Sequence, residues 1–462
     1  MRYLSEQSPE PHASQRQLFA LAEAGESVSN PLPDNDLSAG IPRLRQADRA
    51  QVEFRACCWN DLLPADHQAC IVWQYVSQMD LSPLLAKIKS VRRNAGHPAT
   101  DPRILVALWL YATLRGVGSA RELNRRCSQD VGEIPFQWIC GGVSLNYHTL
   151  ADFRVQHGEF LDQFFTDSVA VLLQEELVTL DRVAQDGMKV RASAGAASFR
   201  RKPTLEEHLA EARQQIEALK QELEANPASA TARQKAARER ALREREERLR
   251  KALEQHAEME AKKKASEKEQ ARASTTDADA RVMKMGDGGF RPAFNVQLAT
   301  DTATQIISGV EVTNSGGDQG KMLPMVEQHE KRYGRTPDEM LVDGGFVKKD
   351  DIIAVSEPNG TTTVFAPVMV SKTSKRDAHE PRDDDHPAVA QWRTRMATDA
   401  AKEIYKERAA TAECVNAIAR NRGLQQFRVR GQPKVRAVIL WYVLAHNLMR
   451  TAALRAAVKL TA

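Results

Sequence analysis

Two aspartates share one local setting: Asp186 precedes Gly187 in VAQDGMKV, and Asp343 precedes Gly344 in MLVDGGF. Each closes a short apolar run that predicts a β-strand. A carboxylate at the C-terminal end of a strand, next to glycine, stands on a sheet rim that metal ions and substrate can reach. Such oxygens suit Mg2+, which takes only one or two carboxylates from a protein and keeps positions for water and phosphate. Two ions about 4 Å apart activate a nucleophile and stabilise the leaving oxygen of a phosphodiester. Asp-Gly is also a common turn, so either pair taken alone fits a bend as well as a site.

Three carboxylates from two strands and a helix would suffice for that chemistry. Glu403, Glu407 and Glu413 all lie on a predicted late helix. At about 100° per residue, Lys402, Lys406, Glu413 and Arg420 share one stripe, while Glu403 and Glu407 point roughly 80° to 120° away from Glu413. Ala400, Ile404, Val415 and Ile418 make the opposite side apolar. A carboxylate flanked by cations can face a polyanion, and a solvated charged face has the same pattern.

The elements that must position these acids alternate in type. LVTLDRVAQD, AFNVQLATD, QIISGVEVTN, DEMLVDGG and TTTVFAPVMV are rich in Val, Ile and Phe and bounded by Gly, Asn and Asp, so they predict strands. The second and third form a hairpin across ATDTATQ. A helix from about Gln319 to Tyr333, with Asp318 as its N-cap, then crosses to the next strand, which makes the sheet mixed. Between Lys202 and Ala273 the chain turns to Glu, Lys, Arg, Gln and Ala. There Leu205, Leu209, Ala212, Ile216, Leu219 and Leu223 follow a heptad seam that Asn226 and Pro227 break. Leu242, Leu249 and Leu253 line a second face, which predicts an antiparallel helical hairpin; one long charged helix, or partial disorder, is the alternative. Residues from Pro387 to Gly423 read as helix and FRVRG as a short strand. A last helix carries Ile439, Val443, Leu444 and Leu448 on its core side.

Upstream, residues 1–44 mix Pro, Ser, Asp and Gly without a period and predict a loosely ordered arm. From 45 to 170 apolar residues recur three and four apart, predicting an all-α domain. It carries Arg92, Arg93, Arg115, Arg121, Arg125 and Arg126, the kind of exposed charge that meets phosphates in a helix-turn-helix-like DNA reader.

Composition bounds these readings. The 462 residues exceed what one core usually serves, so two or three units are expected. With 42% hydrophobic and 27% charged residues the chain is globular, not disordered throughout. A net charge of +4 is mild, but nine Lys or Arg stand against two acids from Lys87 to Arg126, and six against none from Arg420 to Arg436. Six cysteines form no CxxC and no metal-ligand spacing with histidine, which fits reduced, buried thiols in a cytosolic setting. The N-terminus lacks a signal-peptide pattern, and the apolar run Ile104 to Leu114 falls short of the ~20 residues that cross a bilayer, so no membrane segment is expected.

Taken together and in order, DGMKVRASAG, RVMKMGDGGFRPAFNVQLATDT, VDGGF, IYKERAATAECVNAIARNRGL, FRVRG and KVRAVILWYVLAHNLMR resemble the DDE transposases of bacterial insertion sequences. More narrowly, they resemble the subgroup whose helical N-terminal domain precedes a ribonuclease-H-like catalytic domain. The resemblance covers roughly residues 45 to 455. It implies an α/β fold: a ribonuclease-H-like mixed-sheet catalytic domain at 171–202 and 274–455, interrupted by the coiled-coil-like hairpin at 203–273 and preceded by the all-α, DNA-binding domain.

The resemblance implies that Asp186, Asp343 and Glu413 are the catalytic and metal-binding acids, holding Mg2+ or Mn2+ as a pair of ions. Tyr405, Arg408 and Arg420 match residues that accompany the glutamate and bind DNA; Arg121, Arg125 and Arg126 are the DNA-binding candidates of the helical domain. One departure stands: four residues separate Arg408 from Glu413, where the related pattern has three. The implied partner is double-stranded DNA, both element ends and target, bound by a homo-oligomer in the cytoplasm. Water attacks first and the freed 3′ hydroxyl second, both in-line phosphoryl transfers. A nuclease that cuts without joining and a DNA-binding protein with a silent centre are the competing readings. A coiled-coil scaffold explains only residues 203–272.

Overall fold

The computed structural model describes residues 58–90, 98–128, 132–225, 231–263, 265–370 and 376–461. The expected arm at 1–44, Arg92, Arg93 and the Asn226–Pro227 break lie outside the described residues. Within the first part, capping residues set where helices start. His67 Nδ1 accepts from Ala69 N ahead of α1 (Gln68–Ser77), and Asp101 Oδ1 accepts from Arg103 N, with Pro102 opening α2 (Pro102–Leu114). α2 is apolar almost all round and is buried from Ile104 to Thr113. Ser119 caps α3 (Ala120–Cys127), α4 spans Ile134–Cys140, Asn146 caps α5 (Tyr147–Gln156), and α6 spans Gly158–Gln174.

The sheet follows. Its central strand β1 (Arg182–Arg191) pairs antiparallel with the long strand β3 (Phe290–Asp301), whose far edge is shared by β2 (Arg281–Lys284) and β4 (Ile307–Thr313). On its other side β1 pairs in parallel with β5 (Glu339–Leu341), and β5 in parallel with β6 (Thr363–Phe365). The fold is therefore mixed α/β around a mixed sheet. Between β1 and β2 run two long helices, α7 (Lys202–Ala225) and α8 (Ala232–Lys262). Ion pairs Arg213–Glu246, Arg238–Glu222 and Arg245–Glu211 join early residues of one to late residues of the other, so the two run antiparallel. Their shared apolar cluster, with Leu205, Ala212, Leu249 and Ala252, is separate from the main core.

Later helices differ from the sequence expectation in their breaks. α9 spans Met322–Tyr333 and starts after Lys321; Asp318 does not cap it, because its Oδ1 is taken by Asn295 Nδ2 and Gln297 Nε2, each at 2.7 Å. The predicted helix from 387 to 423 is divided. α10 (Pro387–Ala397) stops before Thr398, whose hydroxyl caps α11 (Asp399–Arg408), and a π-helical turn, Ala409–Glu413, joins α11 to α12 (Cys414–Asn421). FRVRG forms no strand; Gln426 makes one isolated bridge to Arg191. Of the cysteines among the described residues, Cys70 and Cys140 are buried and Cys58 is exposed, against the expectation of buried thiols throughout.

The last helix, α13 (Gln432–Thr461), is long and apolar enough to cross a bilayer by length and composition, yet 72% of the qualifying stretch is buried inside the protein. It packs on α2, α5, α6 and β4. Trp441 Nε1 donates to Arg154 O at 2.9 Å, and Asn447 exchanges two hydrogen bonds with the backbone of Ile307, satisfying the start of β4 as a neighbouring strand would. One apolar core thus runs from Trp109 and Leu150 through Trp441 to Val296 and Met340.

Candidate active site

β1 does not end at Asp186. It runs on to Arg191 because β3 stays paired with it, Asp186 opposite Leu298 and Gly187 opposite Gln297. Gly187 leaves room for polar side chains by lacking one of its own: a Cβ there would collide with Asp318 Oδ1 and Gln297 Nε2. The open rim arises from β5 instead. Its parallel ladder with β1 stops at Ala184 and Leu341, and Asp186 and Asp343 each stand two residues further on. The two aspartates therefore sit at one level on neighbouring parallel strands, where the ladder has parted.

The Asp186 side chain is 19% exposed. Its Oδ1 accepts from Gly187 N at 2.9 Å and its Oδ2 from Asn416 Nδ2 at 2.9 Å, while Arg408 Nη1 stands 3.7 Å from Oδ1. Burial pushes the carboxyl above its usual range; Arg408 pulls it back, and the charge of nearby Asp343 pushes it further up. Asp343 Oδ1 accepts from Gly345 N at 2.8 Å. Glu413, 56% exposed, accepts from Arg408 Nη2 at 2.9 Å.

Arg408 stands among all three acids. Its side chain is 14% exposed, and its Nη1 is buried without a hydrogen-bond partner. Burial opposes its charge, but Tyr405, Asp186, Asp343 and Glu413 together hold its pKa above the usual value. Its guanidinium lies 5.9 Å from the Tyr405 ring centre. Burial raises the Tyr405 phenol, Arg408 lowers it, and Asp343 and Glu413 raise it further, so Tyr405 belongs to the same cluster.

The stripe expected from ideal helix geometry does not form. A π turn closes bonds five residues apart in place of four, and the added residue rolls Glu413 back by about 100°, onto the side of Tyr405 and Arg408. Lys402 and Lys406 pair instead with Asp399 and Glu403 on the exposed side. Glu407 is bound to Arg182, which also holds Glu339. Arg420 lies seven residues past Glu413, exposed and without an ion-pair partner among the described residues.

Asn416 is the residue that sequence reasoning missed. It is 5% exposed, one helical turn after Glu413, and it holds Asp186 while its Oδ1 has no partner. An amide three residues past the acid, on the same helix face, was the available signal. The three arginines of the helical region lie on α3, apart from this cluster in the chain. Arg125 and Arg126 both pair with Glu122, and Arg126 also with Glu133, whereas Arg121 lies over the Tyr147 ring at 5.1 Å.

The donor set has the chemistry of a divalent-ion site: hard carboxylate oxygens, and one buried acid whose charge the surroundings penalise. Among the described residues no three His, Cys, Asp or Glu side chains already stand close enough together to cage an ion. The guanidinium of Arg408 supplies the positive charge that these acids share.

The site is thus a mixed sheet bearing two level aspartates, faced by a helix with an Arg–Glu pair. Two family models match the chain: the Transposase DDE domain over residues 370–452 and the Transposase domain (DUF772) over residues 58–156. The first includes Tyr405, Arg408, Glu413, Asn416 and Arg420; the second includes α1 to α5. These matches support an insertion-sequence DDE transposase, and with it a nucleic-acid-processing enzyme whose partner is DNA. No curated protein and no solved structure matched.

Proposed function

We propose that the protein binds the ends of its insertion sequence and catalyses metal-dependent cleavage and strand transfer through Asp186, Asp343 and Glu413. The observation that carries this reading is the level placement of Asp186 and Asp343 on parallel neighbours, with Arg408 joining Asp186 to Glu413. The catalytic unit is a ribonuclease-H-like domain made of residues 171–202 and 274–455. Residues 203–273 are a helical insertion in it, and residues 45–170 form a helical DNA-binding domain. On DNA the protein acts as a homo-oligomer.

Asp186, Asp343 and Glu413 would hold Mg2+ or Mn2+. Such ions supply charge stabilisation and an activated oxygen nucleophile when bound. The chain itself contributes positioning. Asn416 and Gly187 N fix the Asp186 oxygens, Gly345 N fixes Asp343, and the π turn presents Glu413 beside Arg408. Arg408 would present its guanidinium to a phosphate oxygen, which it binds in bidentate fashion, with the Tyr405 ring beside it. Arg420 extends the same cationic helix, and Arg121, Arg125 and Arg126 offer further backbone contacts.

The test is a supercoiled plasmid carrying the element's two ends, incubated with the protein, Mg2+ or Mn2+ and a separate target plasmid. End cleavage and covalent joining are both expected. Cleavage without joining would leave a nuclease, and neither product under either metal would sink the enzymatic reading.

A further inference from the structure

The turn after α2 and the segment between α12 and α13 meet at three glycines. A Cβ on Gly116 would stand 3.6 Å from the Arg422 backbone, one on Gly423 3.3 Å from the Gly116 carbonyl oxygen, and one on Gly118 3.7 Å from Arg428 Nε. Gly116 and Gly423 have φ of +70° and +84°, a conformation that only glycine takes without strain. The contact gathers Arg115 and Arg121 from the helical region and Arg422 and Arg428 from the far end of the chain.

Beneath them lies Arg154, 7% exposed. Its Nη1 donates to Gly118 O at 2.6 Å, its guanidinium lies 4.7 Å from the Trp109 ring centre, and its Nε has no hydrogen-bond partner. Burial pulls its pKa down to about 10, Tyr442 opposes that, and the charge of Arg428 adds to it. Among the described residues none of these five arginines has a carboxylate ion-pair partner; Arg121 rests on Tyr147 and Arg422 lies near Tyr442. Arg125 and Arg126, on the same helix as Arg121, are by contrast neutralised by Glu122 and Glu133.

Five like charges drawn together without counter-charges repel one another, and a buried guanidinium without an anion loses hydration that nothing repays. Such a group is stabilised when a polyanion arrives. We propose that Arg115, Arg121, Arg154, Arg422 and Arg428 form one docking face for the phosphodiester backbone of duplex DNA. It would join the helical region to the segment that follows the candidate catalytic helix. Arg115, Arg121 and Arg428 are exposed and reach phosphates directly, while Arg154 acts from below as a fixed charge that supports the Gly118 turn. The identity of the polyanion rests on the proposed function; the existence of the face does not.

The experiment uses the full chain and a fluorescent blunt duplex of arbitrary sequence, with anisotropy read across a salt series. R121Q/R428Q is compared with K331Q/R240Q, which removes two charges from exposed positions, on α9 and α8, that have no ion-pair partner among the described residues. The expected result is that R121Q/R428Q binds about tenfold or more weakly at low salt and its log K against log salt slope falls by about two, with the control near wild type. Equal loss in both doubles, or wild-type binding by R121Q/R428Q, overturns the face. Selective loss in R121Q/R428Q, in a protein that neither cleaves nor joins the plasmid carrying the element's ends with Mg2+ or Mn2+, would uphold the face and end the transposase reading.

Discussion

Arg408 and Glu413 are five residues apart in the chain and 2.9 Å apart in space. The π turn between them absorbs one residue, which is why four residues separate this pair where the related pattern has three. Deleting Ala409, exposed within the turn, would convert it to α-helical geometry with Glu413 four residues after Arg408 and still adjacent. The ΔAla409 protein is expected to keep its helical circular dichroism and cleave within about tenfold of wild type. If ΔAla409 were inactive while folded, the turn would itself be required.

Asp186→Asn and Asp343→Asn are each expected to abolish Mg2+- or Mn2+-dependent cleavage, because each removes a charged oxygen donor from the rim. Asp186→Asn should also stabilise the protein. The folded state holds the Asp186 pKa above its unfolded value, so the native state binds the proton more tightly. Ionisation therefore costs stability, absent at acid pH and growing as pH rises through the interval between the unfolded and folded pKa values. A neutral asparagine escapes that cost. Thermal melts should show a midpoint higher by about 2 °C at pH 7, and the gain should vanish in acid. An equal gain at both pH values would break the link to ionisation.

Glu413→Gln should eliminate cleavage, and Glu403→Gln should retain most of it, since Glu403 only pairs with exposed Lys406. Glu407→Gln should also cleave but melt lower, by about 1 kcal/mol, because Glu407 shares Arg182 with Glu339. Side-by-side cleavage rates decide this, and the reverse ranking would move the third acid.

Asn416→Asp would set a second carboxylate against Asp186 Oδ2 in place of an amide donor. The expected outcome is a loss of tenfold or more in cleavage, with the acidic limb of the pH–rate profile displaced to higher pH, as a raised Asp186 pKa requires. A purely structural role would lower the rate without moving that limb.

Replacing residues 203–272 by a short flexible linker should leave a folded remainder, because the apolar cluster of α7 and α8 is separate from the main core. Tryptophan fluorescence and a cooperative melt test this. Loss of the melt would place the hairpin within the core, through Lys251 and its bond to Asp279.

Much of the architecture is local and was legible in the residues. Alternating Val, Ile and Phe between Gly and Asn marked β3 and β4, and the heptad of leucines marked α7. The Asp-Gly pairs drew attention to two aspartates that the fold places at one level on neighbouring strands. What the sequence left undetermined depends on partners far along the chain. Asp186 is on the rim because β5 leaves the sheet, not because β1 ends, and only the ladder register decides that. Asp318 is drawn from the helix it precedes by two buried amides on β3. The single added residue before Glu413 reads as a spacing defect in one dimension; in three it becomes a π turn, since packing on both sides fixes where α11 and α12 must point. Local propensity sets which elements form, and long-range packing sets the phase in which their side chains meet.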